Sequence, residues 1–141
     1  DLNDLRSRGG KVLVYHGVAD PIFSVTDTEA WWKGVRRDTR GPVDDFVRLY
    51  RVPGMGHCSG GPSTDQVAYL SPLVAWVEQG QAPGRLEASA RGAGNPGGVN
   101  ADLPADWSPT RTRPLCPYPG IARYVGGDLE SAASFSCTRS E

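Results

Sequence analysis

The stretch Pro53-Gly54-Met55-Gly56-His57-Cys58-Ser59-Gly60-Gly61 sets one imidazole beside one thiol in a loop with four glycines. Glycine at that density lets the backbone take positive φ and brings a single side chain close to other groups. Histidine is the side chain that takes and returns a proton near neutral pH. A lone histidine on such a loop also fills structural or merely exposed roles, so the chemistry needs a second group. Asp20, in Gly17-Val18-Ala19-Asp20-Pro21, is a candidate 37 residues earlier. A carboxylate that accepts a hydrogen bond from a histidine fixes the ring's tautomer and stabilises the imidazolium. Aspartate before proline is equally the composition of a plain turn, and the residues alone leave that reading open.

The flanking elements decide whether the two can meet. Lys11-Val12-Leu13-Val14-Tyr15-His16 is an apolar run with little alternation, which predicts a central parallel strand covered on both faces. Asp20 follows its carboxyl end, where open α/β sheets carry functional groups. Thr26-Asp27-Thr28-Glu29 reads as a capping box with Thr26 at the cap. The helix it opens runs about three turns, its Trp31 and Trp32 read as packing residues, and Gly34 weakens it. Residues 45–52 alternate like the next strand and lead into the histidine loop. Ser71 as N-cap and Pro72 at the first helical position predict a helix to Gln79, closed by Gly80 in the left-handed conformation. Strand, helix, strand, helix is the rhythm of a parallel α/β sheet. In such a sheet the loops bearing Asp20 and His57 are neighbours at one edge.

The remaining composition excludes more than it specifies. With 141 residues and 15.1 kDa there is room for one domain with a core, while 18 Gly and 12 Pro predict many turns. A net charge of −1 with no basic block argues against nucleic acid or an anionic membrane as partner. No run reaches the length of a membrane span. There is neither a signal peptide nor an initiator Met, and the chain reads as cut from something longer. Residues 88–109, rich in Gly, Ala, Asn, Asp and Pro, predict no regular element. Beyond them, residues 113–120 are extended by their prolines, 121–125 predict a short strand and 128–135 a turn of helix. This tail has too few large apolar residues for a core of its own. Cys116 and Cys137 are placed to staple it, and a ring of 21 positions stabilises by about 3 kcal/mol on the chain-entropy estimate. Three cysteines suit free thiols in a cytosolic protein, or one pair plus a third with its partner elsewhere in a secreted one. Their spacings fit no zinc module, and no spacing supports a metal site from His16, His57 and Cys58.

An Asp followed by a His, each on a loop after a strand, is the order of the second and third members of an α/β-hydrolase triad. The nucleophile should precede them in a Gly-x-Ser-x-Gly elbow, and the chain contains none. Ser59 has His57 where a glycine should stand, Ser24 lacks glycines altogether, and Cys58 is the sequence neighbour of the ring it would have to reach. A nucleophile outside these residues is the expectation.

The chain resembles the C-terminal part of the tannase and feruloyl esterase family. The resemblance is carried by Gly9-Gly10-Lys11, His16-Gly17-x-x-Asp20, Pro53-Gly54-Met55-Gly56-His57-Cys58-x-Gly60-Gly61, Trp76-Val77-Glu78-x-Gly80-x-Ala82-Pro83, Arg113-Pro114-Leu115-Cys116-x-Tyr118-Pro119 and Ala132-Ala133-Ser134-Phe135-x-Cys137. It implies a C-terminal portion of an α/β-hydrolase fold, a parallel sheet flanked by helices, with a disulfide-stapled, loop-rich tail. On this reading residues 1–86 belong to the catalytic domain and 87–141 form an extension packed on it. It further implies that Asp20 and His57 are the acid and base of a Ser-His-Asp triad hydrolysing esters of aromatic and phenolic acids. Cys58 would then bond a cysteine next to the nucleophilic serine, and Cys116 would bond Cys137. The implied partner is the N-terminal remainder of the enzyme, which carries the nucleophile and a lid with a structural calcium site. No cofactor is expected within these residues. Bridged cysteines imply a secreted or periplasmic protein. The competing reading is a non-catalytic α/β module, which requires Asp20 and His57 to be unconnected.

Overall fold

A computed structural model describes residues 2–139. After a short helix α1 (Asn3–Ser7), strand β1 (Val12–Gly17) and strand β2 (Val47–Val52) pair in parallel, from Val12 opposite Val47 to Gly17 opposite Val52. Helix α2 (Val25–Asp38) makes the crossover between them. Of the two strands it is β2 that is covered on both faces. Val47 and Leu49 face Trp32 and Val35 of α2, whereas Tyr50 and Val52 face Leu86, Ala88 and Leu115. β1 has β2 on one side and, among the described residues, no strand on the other. Its Tyr15 is 42% exposed. The expectation of a doubly covered first strand is therefore corrected: Val12 and Val14 pack on one side and Leu13 and Tyr15 on the other, but both faces are only partly covered and one edge is bare.

The helix ends also differ from expectation. Ser24, not Thr26, caps α2, its hydroxyl accepting the Thr26 N–H. Glu29 does not fold back to the cap; its carboxylate takes Arg51 at 2.9 Å and the Tyr118 hydroxyl at 3.3 Å. A charged partner outcompetes a neutral backbone N–H for it. Helix α3 (Leu70–Gln79) begins before Ser71, with Tyr69 at its N-cap and Pro72 inside its first turn. An N–H is spare throughout the first turn, so proline fits there too. Gly80 ends it with φ of 70° as expected.

The tail is more ordered than its composition predicts. Strands β3 (Gln66–Val67), β4 (Leu86–Ser89) and β5 (Thr112–Leu115) form an antiparallel sheet in that order, so β4 overlaps the stretch expected to be irregular. Strands β6 (Gly120–Tyr124) and β7 (Phe135–Arg139) form a hairpin, with only a 3-10 turn at Ala132–Ser134 where a helical turn was expected. Cys116 and Cys137 are bonded and tie this hairpin to the end of β5. Arg85 reinforces the attachment by donating to the carbonyls of Ala132 and Phe135.

Candidate active site

The loop after β1 and the loop after β2 lie against each other through their backbones. The Val18 N–H donates to Val52 O and the Ala19 N–H to Met55 O, both at 3.0 Å. Gly17 makes this approach possible. A Cβ there would stand 2.3 Å from Gly56 O and 2.4 Å from Met55 O. Met55, fully buried, anchors the start of the histidine loop in the core.

This contact brings Asp20 to His57. Asp20 Oδ2 lies 2.9 Å from His57 Nδ1, and Asp20 Oδ1 accepts the N–H groups of Ile22 at 2.8 Å and Phe23 at 3.1 Å. The Asp20 side chain is 5% exposed, against 40% for His57. Burial by itself would push the Asp20 carboxyl up, but the His57 hydrogen bond, the Ile22 and Phe23 N–H groups and the His57 charge outweigh it. The result is a pKa held down at about 2. An ionised carboxylate only accepts, so His57 Nδ1 carries the hydrogen, and in the neutral ring Nε2 has the lone pair for a substrate-side proton. The ring of Phe23 rests on the imidazole, centroid to centroid 5.4 Å.

His16 joins the same group, a role that sequence reading missed. Its Nε2 is 3.1 Å from Phe23 O and 3.5 Å from Asp20 Oδ2, and its Nδ1 accepts from the Thr28 hydroxyl at 2.7 Å. With both nitrogens engaged the ring holds the start of α2 against the end of β1, under Asp20. The i, i+4 spacing of His16 and Asp20 across a strand end was the available signal.

Cys58 follows with φ of 67°, the single non-glycine residue of positive φ among the described residues, and its thiol is free and exposed. Ser24 is engaged in its cap, and among the described residues no serine bonds the His57 ring. A cavity of about 650 Å³ opens beside the pair, lined by His57, Cys58, Phe23, Trp31 and Tyr15 among others. Of the two tryptophans expected to pack, Trp32 is buried in the core and Trp31 borders this cavity. Among the described residues no three His, Cys, Asp or Glu side chains gather as a metal site. No helix among them is long and apolar enough to cross a membrane.

Comparison with known proteins returns esterases and hydrolases. A family profile described as tannase and feruloyl esterase matches residues 1–138. The mono(2-hydroxyethyl) terephthalate hydrolase of Piscinibacter sakaiensis is 49% identical over 140 residues, covering 97% of this chain and 21% of that protein. Feruloyl esterase C of Talaromyces stipitatus is 32% identical over 155 residues, covering 97% and 27% respectively. The crystal structure of feruloyl esterase B from Aspergillus oryzae superposes with a TM-score of 0.76 at 29% identity, covering 98% of this chain and 29% of that one. The chain thus spans about a quarter of the length of the relatives it matches.

Proposed function

The chain belongs to the tannase and feruloyl esterase family, and on that premise we propose that it supplies the acid and base of a serine carboxylic ester hydrolase. The observation that carries this reading is the 2.9 Å hydrogen bond between Asp20 Oδ2 and His57 Nδ1. It also disfavours a non-catalytic module, which needs the two side chains apart.

In the proposed reaction His57 Nε2 takes the proton of a serine hydroxyl supplied from outside these 141 residues. The serine oxygen attacks the ester carbonyl, the tetrahedral intermediate collapses, and His57 returns the proton to the departing alcohol or phenol. Water then attacks the acyl-serine by the same proton route and releases the acid. Asp20 keeps the ring in the right tautomer and stabilises the imidazolium formed in each half. Oxyanion donors come from the nucleophile-bearing part. The names of the relatives and the aromatic lining from Phe23 and Trp31 point to esters of aromatic or phenolic acids.

Residues 1–86 then form the last part of the catalytic domain and 87–141 its packed extension. Cys58, exposed at the cavity beside His57, bonds a cysteine adjacent to the serine. That bridge restrains the spacing of His57 and serine oxygen, and it places the enzyme in a secreted or periplasmic setting. The N-terminal part, with nucleophile and lid, is the partner. The open edge of β1 supports this, because a parallel strand with one free edge and apolar faces is built to be paired.

Non-reducing intact mass, repeated after reduction, tests the assembly: Cys58 should release a segment carrying a Cys-Ser pair. A hydroxycinnamate methyl ester should be hydrolysed by the assembled protein and left untouched by residues 1–141 alone. Turnover by the isolated chain that disappears on Asp20→Ala would sink the proposal.

A further inference from the structure

His57, Cys58 and Ser59 form a three-residue tip standing on a narrow base, where the Gly56 N–H donates to Gly60 O at 3.3 Å. Glycine makes that base possible and leaves it soft. Gly60 and Gly61 have φ of 75° and 71°, and a Cβ on Gly61 would stand 2.2 Å from Gly54 O. No bulkier residue stiffens the loop from within, so its rigidity has to come from outside.

It comes from Asp65, just before β3, and from the segment after β4. The Gly60 N–H donates to Asp65 Oδ2 at 2.7 Å and the Gly61 N–H to Asp102 Oδ2 at 2.9 Å. The side-chain amide of Asn100, itself buried, donates to Gly61 O at 2.8 Å. These three anchors are joined to one another. Arg91 grips Asp65 with two nitrogens, at 2.9 and 2.6 Å, and its carbonyl accepts the Asn100 N–H. Asn100 Oδ1 accepts the Asp102 N–H at 3.0 Å. The circuit closes through Gly60, Asp65, Arg91, Asn100, Asp102 and Gly61. Two of its links to the loop are charge-assisted, the strong kind for a backbone donor.

We infer that Asp65, Asn100 and Asp102 are positioning residues for His57, and that residues 91–102 act as a clamp on the histidine loop. This rests on the ester-hydrolase reading, and it assigns a role in the reaction to a stretch whose composition shows none. The clamp acts on the base of the loop while Asp20 acts on the ring, so the imidazole is constrained from two sides.

The test uses Asp102→Ala, Asn100→Ala and Asp102→Asn, with Asp106→Ala as a charge control in the same segment. In the assembled enzyme the two alanine truncations of the clamp should lower kcat about tenfold or more with KM little changed, since an ångström of misplacement costs up to ~100-fold. Asp102→Asn, which keeps an acceptor, should recover most of the rate, and Asp106→Ala should match wild type. A second readout needs no turnover. The proton on His57 Nδ1, held against Asp20 Oδ2, can be followed by NMR in the assembled protein. Near-ultraviolet circular dichroism establishes that each variant is folded. The resonance should broaden or vanish in Asp102→Ala and persist in Asp102→Asn. Unchanged kcat and an unchanged resonance in folded Asp102→Ala and Asn100→Ala would overturn the clamp. Wild-type assembled protein with no esterase activity, but with the resonance lost in Asp102→Ala, would overturn the hydrolase reading and leave the clamp standing.

Discussion

Asp20 has both carboxylate oxygens occupied: Oδ1 by two backbone donors, Oδ2 by the imidazole. Its geometry is set by its own turn, so removing His57 would not release it. Asp20→Asn retains the shape but offers His57 Nδ1 an amide able to donate, which favours the wrong tautomer. Ester hydrolysis by the assembled enzyme should fall by about 10⁴-fold in kcat, as for the equivalent change in the serine-protease triad. Acid sensitivity follows from the same residue. The Asp20 carboxyl is lowered from 3.8 to about 2, and that of Glu130 from 4.5 to about 2, the latter chiefly by its bond to Arg111. Both groups bind protons more readily in the unfolded chain. Their contribution to stability is therefore complete above about pH 4.5 and is lost as pH falls toward 2. The urea midpoint should drop across that window, and less so in Glu130→Gln; a flat profile would contradict the assignment. At this scale the sequence was informative about Asp20 and His57, because order and spacing carry them. It was silent on how Asp65, Asn100 and Asp102 hold the loop, because their bonds to it go to backbone groups that any sequence possesses.

Among the elements, the contact between the two strand-end loops is the most exacting. Gly17→Ala places a methyl against two carbonyls of the histidine loop and should cost about 1–3 kcal/mol by overpacking. Urea unfolding measures it, and the His57 Nδ1 resonance should shift because the loop has to move. A variant as stable as wild type would mean that the loops can part without cost. The Cys116–Cys137 bond plays a different part, joining β5 to β7 around a ring of 21 positions. Replacing both cysteines by serine should lower stability by about 3 kcal/mol. The β6–β7 hairpin should lose amide protection first while β1–β2 stays protected, as hydrogen exchange would show. Helix and strand existence was legible here from periodicity and capping residues. The N-terminal boundaries were not, because Ser24 and Thr26 are both good caps and Arg51 decided where Glu29 would go.

For the molecule as a whole, one side is finished and the other is open. β2 is sealed between α2 and the β3–β4–β5 sheet, whereas β1 shows a free edge, and Leu70, Val74 and Val77 make an exposed apolar stripe along α3. Such a surface should drive self-association of residues 1–141 alone, seen as concentration-dependent sedimentation, and the assembled protein should sediment as a single species. Monodisperse behaviour of the isolated chain at high concentration would mean that this face tolerates water. From the amino-acid sequence alone came the α/β rhythm, the glycine-rich histidine loop, the Asp-before-His order and the cysteine staple. Each of these is written in neighbouring residues or in a motif of fixed spacing. Only the tertiary structure decided that His16 seats Asp20, that residues 91–102 grip the base of the histidine loop, and that residues 117–118 lie along the outer edge of β2 while that of β1 stays bare among the described residues. Those outcomes depend on which distant groups arrive together, and hydrogen bonds to backbone atoms leave no pattern in the side-chain sequence from which to read them.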